Sequence, residues 1–304
     1  MANILIQAIK CPRRILLHFS RPLEKRGFFD KWSDARWLKV RYWLRFGKKP
    51  DLDNPKTFNE KLQWLKLYDR KPEYTVMVDK HGVKKYVADL IGEEYVIPTL
   101  GVWDRFEDID FDALPDRFVL KCTHDSGGLV ICKNKADLDY EAARIKITQS
   151  LKTDYYLRMG REWPYKNVKP QIIAEQYIDD EPKDYKLFCF NGQPKMTLVC
   201  SERFSEGGLK EDFFDEEWHH MELRRPKNGN SSEEIPKPRQ FERMMQLAAQ
   251  LSAGIPFSRI DFYEIGDTVY FGEITFFPAG GFESFEPAGW DEKLGSWIQL
   301  PEKE

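Results

Sequence analysis

The chain has 304 residues, 41% of them hydrophobic and 32% charged, which is typical of a globular protein with one or two domains. Its five cysteines are odd in number and lack C-x-x-C spacing, which argues against a zinc knuckle or a disulfide framework and favours a reducing compartment. The apolar residues 4–9 are too few, and too soon followed by basic residues, to form a transmembrane helix or a signal peptide. The sequence therefore predicts a cytoplasmic protein.

Charge is distributed unevenly along the chain. Residues 1–48 hold twelve Lys/Arg and three Asp/Glu, a surplus of nine positive charges, whereas the remaining residues carry a net charge of −12. A basic arm on an acidic body indicates an anionic neighbour, which can be a membrane surface, a nucleic acid or an acidic glycan. We assign residues 1–50 to a basic, aromatic and helical N-terminal extension.

Helical patterns dominate the first third of the chain. Residues 31–47 place tryptophans at helical spacing ahead of Gly47, a C-cap. This helix can lie on a membrane or dock on its own protein, and docking is the more common case. The T-x-x-E capping box at residues 57–60 predicts a helix that runs to Tyr68. A third helix is predicted over residues 76–91.

Strands and helices are mixed in the rest of the chain. In order, the predicted elements are strands at 118–120 and 129–132, a helix at 136–151, a strand at 171–177, a hairpin at 184–200, a helix at 240–253 and a hairpin at 259–274. The first hairpin turns at Asn191-Gly192, a strong hairpin signal. This pattern predicts an α+β fold with antiparallel pairs, because a doubly wound fold would alternate strands and helices regularly.

The last hairpin carries the strongest chemical pattern. Alternation along its first strand places Arg259 and Asp261 on one face, and the turn can bring Asp261 and Glu273 together. Two facing carboxylates repel each other unless a cation lies between them, and magnesium prefers such oxygen ligands. Arg259 can grip a phosphate from the same face. The alternative is a solvent-facing charged hairpin in which Arg259 pairs with an acid.

Two further patterns suit a nucleotide. Lys121 ends an apolar strand, where a lysine is costly without an anion, and the turn Ser126-Gly127-Gly128 offers backbone N–H groups to a phosphate. The turn matches neither a Walker A loop nor the dinucleotide motif, and it can also be a plain hairpin. Glu175 near the end of a strand and Asp184 nine residues later fit adenine packing and ribose recognition.

The order of these features resembles the ATP-grasp superfamily. Several segments together resemble its teichuronopeptide and capsule biosynthesis branch (TupA-like) from about residue 50 to the end: P-K-T-F-N-E-K-L-Q-W-L-K, F-V-L-K-C-T-H-D-S-G-G, E-W-P-Y-K, I-I-A-E-Q-Y-I, D-Y-K-L-F-C-F-N-G and G-E-I-T-F-F-P-A-G-G. The resemblance implies an ATP-grasp fold in residues 51–304, with two α+β subdomains gripping ATP between antiparallel sheets. The lid subdomain would span about 92–174 and the nucleotide and metal subdomain about 175–304.

The resemblance also implies residue roles for ATP and metal. The ATP-binding set comprises Lys84, Lys121, Ser126, Gly127, Gly128, Glu175, Gln176, Tyr177, Ile178, Asp184 and Lys186. Lys80 or Lys85 can take the place of Lys84. Magnesium, expected as two ions that manganese can replace, would be bound by Asp261, Glu273 and Thr275. Thr275 stands where superfamily members usually have Asn, and a hydroxyl is the weaker ligand.

The implied reaction is ATP-dependent amide formation through an acyl-phosphate, which yields ADP and phosphate. Lys121, Arg259 and His124 would be catalytic, and Arg203 and Asp125 would bind substrate. The family branch implies that an amino acid or small amine is joined to the carboxyl group of a uronic acid in a bacterial surface polysaccharide. No nucleic-acid partner is expected, and the basic arm can contact the inner face of the membrane or the polysaccharide-assembly machinery.

Two other readings of the sequence remain. A glycosyltransferase would need a D-x-D metal motif, but the candidates at residues 51–53, 108–112 and 137–139 do not follow buried strands. A non-catalytic nucleotide-binding or membrane-docking protein would explain the basic arm, but it would not need both metal acids and the strand lysine.

Overall fold

The computed structural model describes residues 12–179, 183–201 and 208–303. In these residues the chain forms nine α-helices and two antiparallel sheets. The helices are α1 (Pro12–Lys25), α2 (Asp34–Phe46), α3 (Phe58–Tyr68), α4 (Glu73–Val78), α5 (Gly82–Ile91), α6 (Tyr140–Leu151), α7 (Tyr155–Arg158), α8 (Phe241–Leu251) and α9 (Trp290–Trp297). None of the helices in these ranges combines the length and the apolar character that crossing a bilayer requires.

The first sheet has four strands. They are β1 (Thr99–Trp103), β2 (Phe118–Cys122), β3 (Leu129–Cys132) and β4 (Ile172–Gln176), in the spatial order β1-β4-β2-β3. Phe118 and Leu120 of β2 pack with Ile147 of α6 in one apolar cluster. Because side chains alternate along a strand, Lys121 projects from the face of β2 opposite to α6.

The second sheet has five strands. They are β5 (Lys183–Phe190), β6 (Gln193–Ser201), β7 (Lys210–Phe214), β8 (Phe257–Ile265) and β9 (Thr268–Thr275), in the order β7-β6-β5-β8-β9. α8 packs on this sheet and buries Met244, Leu247 and Leu251. The β5–β6 hairpin turns through Asn191 (φ 51°) and Gly192 (φ 80°), the left-handed pair that tight hairpins need. Both predicted hairpins and the α+β class are confirmed.

Two of the predicted helices carry the terminal signals that the sequence indicates. Gly47 ends α2 with a left-handed φ of 78°, and its N–H bonds to the carbonyl of Trp43. The capping box of α3 is present in full: Thr57 accepts from the N–H of Glu60, and the Glu60 carboxylate accepts from the N–H of Thr57.

The helix predicted over residues 76–91 is wrong as a single element. α4 ends at Val78 and α5 begins at Gly82, because Asp79 has an extended backbone (φ −74°, ψ 115°). The Asp79 carboxylate accepts a hydrogen bond from the N–H of His81 at 3.0 Å, which stabilises the break. The interruption exposes Lys80 to the space between the sheets.

The chain passes from the first sheet to the second between Gln176 and Lys183. The subdomain boundary expected at 174/175 falls within β4, two residues before that strand ends. Strands β1 and β7 were not predicted, because neither has a long alternating pattern of apolar residues.

The N-terminal extension is packed against the rest of the chain. Asp30 forms an ion pair with Arg158 at 2.5 Å, and Asp34 contacts Arg161 at 3.3 Å and Arg70 at 2.7 Å. The segment from α7 to residue 161 is therefore held in place partly by residues that precede α3.

Candidate active site

A cleft of about 220 Å³ opens between the two sheets. One wall comes from β2, β4 and α5, and the other from β5, β8 and β9. Its charged lining consists of Lys80, Lys84, Lys121, Asp125, Glu175, Asp184, Lys186, Asp261 and Glu273. Its apolar lining consists of Val83, Val96, Ile97, Leu129 and Phe271. The cleft thus has both a charged region and an apolar one, as a pocket for a nucleotide would.

Two lysines of the first wall share one carboxylate. Lys84 lies 2.6 Å from one oxygen of Glu175, and Lys121 lies 2.5 Å from the other. Burial disfavours ionisation of Glu175, but the two lysines outweigh it and lower its pKa to about 2. Burial also lowers the pKa of Lys84. Glu175 therefore keeps two ammonium groups close together at the edge of the cleft.

The turn after β2 is built around Asp125. Its carboxylate accepts from the N–H of Gly128 at 3.0 Å and from the Ser150 hydroxyl, and its carbonyl accepts from Lys80. A Cβ at Gly128 would lie 2.5 Å from the sulfur of Cys122, so only glycine fits there. The Ser126 hydroxyl is 3.0 Å from that of Tyr155.

The second wall carries the pair of acids predicted from the last hairpin. Asp261 and Glu273 are direct cross-strand partners in the β8–β9 register. Arg259 bridges them: it donates to both oxygens of Asp261 at 2.6 and 2.7 Å, and to Glu273 at 2.7 Å. The Asp261 side chain is 2% exposed, so the solvent-facing alternative does not hold.

Other charges around these acids come from the neighbouring strand. Lys186 of β5 contacts Asp261 at 2.5 Å and Asp184 at 2.6 Å. Burial opposes ionisation of Glu273, but Arg259 and Lys186, helped by Lys80, lower its pKa to about 2. Glu273 is therefore a carboxylate at any physiological pH.

The donors at this wall fit a magnesium ion. Asp261 and Glu273 present hard carboxylate oxygens at paired positions, the ligand type that magnesium prefers. Within the described residues Glu273 accepts hydrogen bonds through Oε1 only, so Oε2 is available, and the side chain is 40% exposed. The Thr275 hydroxyl donates to Glu273 at 3.2 Å and adds one more oxygen beside the pair.

The sequence matches the TupA-like ATP-grasp family over residues 60–299, which is more than three quarters of the chain. The chain belongs to this family. The predicted fold class and family are thereby confirmed, and the cleft lies between its two antiparallel sheets.

Solved structures similar to this family member share little sequence with it. D-alanine–D-alanine ligase from Bacillus anthracis, complexed with ATP, is 16% identical over 66% of this chain and 54% of its own, with a TM-score of 0.39. The Helicobacter pylori D-alanine–D-alanine ligase is 16% identical over 79% and 69%, with a TM-score of 0.39. ATP-grasp ligase PsnB with minimal precursor, Mg and ADP is 12% identical over 84% and 66%, with a TM-score of 0.40. The chain spans about half the length of the Bacillus anthracis ligase. No curated protein matches the sequence.

Most residues that the family resemblance assigns to ATP lie along the cleft: Lys84, Lys121, Ser126, Gly128, Glu175, Asp184 and Lys186. Among the described residues, Gly127, Gln176, Tyr177 and Ile178 are not part of its lining. Tyr177 instead packs under the guanidinium of Arg117, 4.1 Å from the ring centre. Glu175 was assigned to the adenine side, but its carboxylate is engaged by the two lysines.

The remaining assignments differ in position. Asp125 lines the cleft, while its carboxylate shapes the turn. His124 is buried, its Nε2 lies 3.2 Å from the carbonyl of Thr153, and it is not part of the cleft lining in the described residues. Lys85 points away and pairs with Asp89 at 2.7 Å. Arg203 lies outside the described residues.

Two features of the site had no clear sequence signal. The apolar lining draws on Val96, Ile97 and Phe271, which belong to two segments far apart in the chain. Lys80 was named only as a substitute for Lys84, yet both lysines line the cleft, because the break between α4 and α5 lets Lys80 reach it.

Proposed function

We propose that the protein is an ATP-dependent carboxylate–amine ligase that forms an amide through an acyl-phosphate. The observation that carries this proposal is the cleft of an ATP-grasp family member with lysines on one wall and, on the other, Asp261 and Glu273, which Arg259 bridges. A charge arrangement of this kind suits a triphosphate, whose chain needs cations along its length and whose terminal phosphoryl group must be transferred.

The proposed roles follow from position. Lys84 and Lys121 neutralise the phosphates, and Glu175 keeps both lysines in place until the nucleotide enters. Arg259 stabilises the negative charge that builds up as the terminal phosphoryl group passes to the substrate carboxylate. Magnesium, held by Asp261 and Glu273, would supply charge neutralisation at the phosphate oxygens.

The acyl-phosphate must be kept from water until the amine attacks. The turn at residues 126–128 borders the cleft and is tied to α7 through the contact between Ser126 and Tyr155. We assign this turn the task of closing over the bound nucleotide. The amine then forms the C–N bond and gives up one proton, the C–O bond to phosphate breaks, and phosphate leaves with the bonding electrons and can take up that proton.

We further propose the substrates that the TupA-like branch suggests: a uronic acid of a bacterial capsular or surface polysaccharide, and an amino acid or small amine. Two magnesium ions, replaceable by manganese, complete this proposal. The cluster of three carboxylates Asp184, Asp261 and Glu273 supports it, because a second divalent ion needs more oxygen ligands than one pair provides.

We propose that the enzyme works in the cytoplasm at the inner face of the membrane, with α1 in contact with anionic lipid. Leu16, Phe19 and Leu23 recur at helical spacing and are 53%, 64% and 39% exposed. Arg21 and Lys25 of the same helix are also exposed. An apolar stripe beside exposed cations is complementary to an anionic bilayer. Free thiols at the four described cysteines fit a reducing compartment.

A phosphate-release screen tests the central proposal. The full chain is incubated with Mg-ATP, a panel of uronic acids and nucleotide-uronates, and mixed amino acids and amines. We expect phosphate and ADP only when one acid and one amine are both present. Asp261→Asn and Glu273→Gln are expected to lower the rate by at least about 100-fold, since each removes charge stabilisation in the transition state.

Asp89→Asn is the matched control, because Asp89 is an exposed acid on α5 whose side chain is 63% accessible. It is expected to keep the wild-type rate. Release of AMP and pyrophosphate would contradict the acyl-phosphate route, and full activity in Glu273→Gln would contradict the metal assignment.

A further inference from the structure

Two loops with left-handed backbone meet next to the acid cluster. One contains Gly160 (φ 76°) and Arg161 (φ 55°), and the other contains Ala279 (φ 50°) and Gly280 (φ 63°). A Cβ added to Gly160 would lie 3.2 Å from the Cα of Gly280, so the two backbones pack directly against each other. Non-glycine residues in this region are strained, and such strain persists where the surroundings enforce it.

Lys66 of α3 fastens the two loops together. Its fully buried ammonium group donates to the carbonyls of Gly160 at 2.7 Å and Gly280 at 2.5 Å, and to the side-chain oxygen of Gln63 at 3.2 Å. Arg161 anchors the first loop from the other direction by donating to the carbonyl of Phe29 at 2.8 Å. The residue that follows, Glu162, is thus held on a rigid segment.

Glu162 is a buried carboxylate without a partner. The residue is 7% exposed, the hydrogen bonds and ion pairs of the described residues include none to its carboxylate, and its oxygens are not among the fully buried unpartnered atoms, so they keep slight access to solvent. Two of the charges that act on it are those of Lys66 and Arg259. Lys66 donates to carbonyl and amide oxygens, and Arg259 to Asp261 and Glu273, so neither cation is available to it. Burial raises the pKa of Glu162 to about 8, against the opposing effect of Lys66.

Burial favours the neutral acid of Glu162 in the free protein, whereas an arriving ammonium group favours its carboxylate, so a buried glutamate on a fastened loop is suited to receive a cation and a proton. We propose that the Glu162 carboxylate pairs with the ammonium form of the amine substrate and takes one proton from it, so that the neutral amine attacks the acyl-phosphate on the side of Arg259 and Glu273. This subsite rests on the proposed ligase function. Magnesium fits less well here, because it takes several oxygen ligands and Glu162 offers one carboxylate.

Aromatic rings complete the surroundings. Tyr155 and Tyr165 contact each other edge to face, with ring centres 4.7 Å apart, and the charge of Glu162 acts on both. Aromatic rings attract ammonium ions by cation–π interaction. Tyr155 also reaches the turn after β2 through Ser126, so the subsite and the closing turn are connected.

Glu162→Gln tests the subsite in the full-length chain with an acid–amine pair that releases phosphate in the screen. The variant keeps the shape and removes the charge. We expect the KM for the amine to rise about 10- to 100-fold, as for a lost charged hydrogen bond, with the KM for ATP unchanged. Hydroxylamine, which is largely neutral at pH 7, serves as a second nucleophile, and hydroxamate formation from the acid should be retained. Glu242→Gln, an exposed acid paired with Lys237, is the matched control.

The outcomes separate the subsite from the reaction. An unchanged KM for the amine, or loss of hydroxamate formation together with ligation, would overturn the role of Glu162 while the ligase function stands. If wild type forms neither hydroxamate nor phosphate with any acid, the proposed function itself fails and the subsite with it. If Glu162→Gln does not fold, Glu162→Asp is the second variant, because it keeps the carboxylate and shortens the side chain by one methylene. It is expected to raise the KM for the amine and to leave that for ATP unchanged, and the absence of this split would overturn the proposal.

Discussion

Glu175 shows how a residue can be found from the sequence while its neighbours in the folded chain are not. Its position near the end of a buried strand suggested the adenine side of the pocket. In the folded chain β4 lies beside β2, and Glu175 becomes the shared counter-ion of Lys84 and Lys121. Which strand lies next to β4 depends on contacts between residues about fifty positions apart, and the local pattern carries no information on that pairing.

The ion triplet around Glu175 makes a prediction about stability. Glu175→Gln leaves Lys84 and Lys121 facing each other without a counter-charge, so we expect the free energy of unfolding at pH 7 to fall by about 2–4 kcal/mol. Because the folded pKa of Glu175 is lowered to about 2 from an ordinary value near 4.5, its contribution is fully present above that ordinary value. It is lost as the pH falls from about 4.5 toward 2.

Urea unfolding of wild type and variant at pH 7, with melting temperatures followed down to pH 3, measures this effect. The difference in melting temperature between wild type and variant should become smaller as the pH falls. Glu242→Gln should unfold like wild type at both ends of the range, because its ion pair is exposed. If the difference in melting temperature does not change with pH, packing and not charge explains the lower stability of the variant.

Other residues of the site could be predicted well. Strand alternation and the turn at Gly266 were enough to bring Asp261 opposite Glu273, since both effects are local. In the sequence, Glu162 stands out only as the first residue of the motif E-W-P-Y-K. Its environment depends on Lys66 and Gly280, which are 96 residues before it and 118 after it in the chain.

Among the elements, α3 has a polar face whose role could not be predicted from the sequence. Asn59, Gln63 and Lys66 lie on one helical face, which reads as a solvated side of an amphipathic helix. All three are buried, and they bind backbone of residues 280–283: Asn59 Nδ2 donates to the Glu283 carbonyl at 2.8 Å, for example. A polar stripe can face either water or a loop with unsatisfied carbonyls, and the sequence does not distinguish the two.

The proposed membrane contact belongs to one element, α1. Leu16→Glu combined with Phe19→Glu places two acids in the exposed apolar stripe. Wild type is expected to float with vesicles containing phosphatidylglycerol, and less so at high salt or with phosphatidylcholine alone, because both the apolar and the ionic contributions are needed. The double variant should stay in solution with both kinds of vesicle.

The control for this experiment is Ile145→Glu, at an exposed apolar position of α6 that is 44% accessible. It should bind vesicles like wild type. Wild type that fails to float with anionic vesicles would contradict the docking proposal. Sedimentation of wild type as a dimer, and of the double variant as a monomer, would instead assign the stripe to a second copy of the chain.

The whole molecule consists of two sheets whose facing walls hold opposite parts of one site. The lysines that would contact phosphate lie on the first sheet and α5, and the metal acids lie on the second sheet. The family and the α+β class could be predicted from the sequence, because the order of the motifs along the chain can be read without knowing which residues are in contact. How the walls face each other depends on packing across the cleft, which no single segment encodes.

A ligand that touches both walls should stabilise the whole molecule. At a concentration about 100 times its dissociation constant, Mg-ATP is expected to add about 2.7 kcal/mol and to raise the melting temperature by roughly 4 °C. ATP with EDTA should give a smaller shift, because the carboxylates of Asp261 and Glu273 then face the phosphates without a metal between them. Glu273→Gln should abolish the difference between the two conditions, while Asp89→Asn should preserve it. Differential scanning fluorimetry measures all four cases. If Mg-ATP leaves the melting temperature of wild type unchanged over the millimolar range, the nucleotide does not bridge the sheets, and the cleft belongs to another ligand.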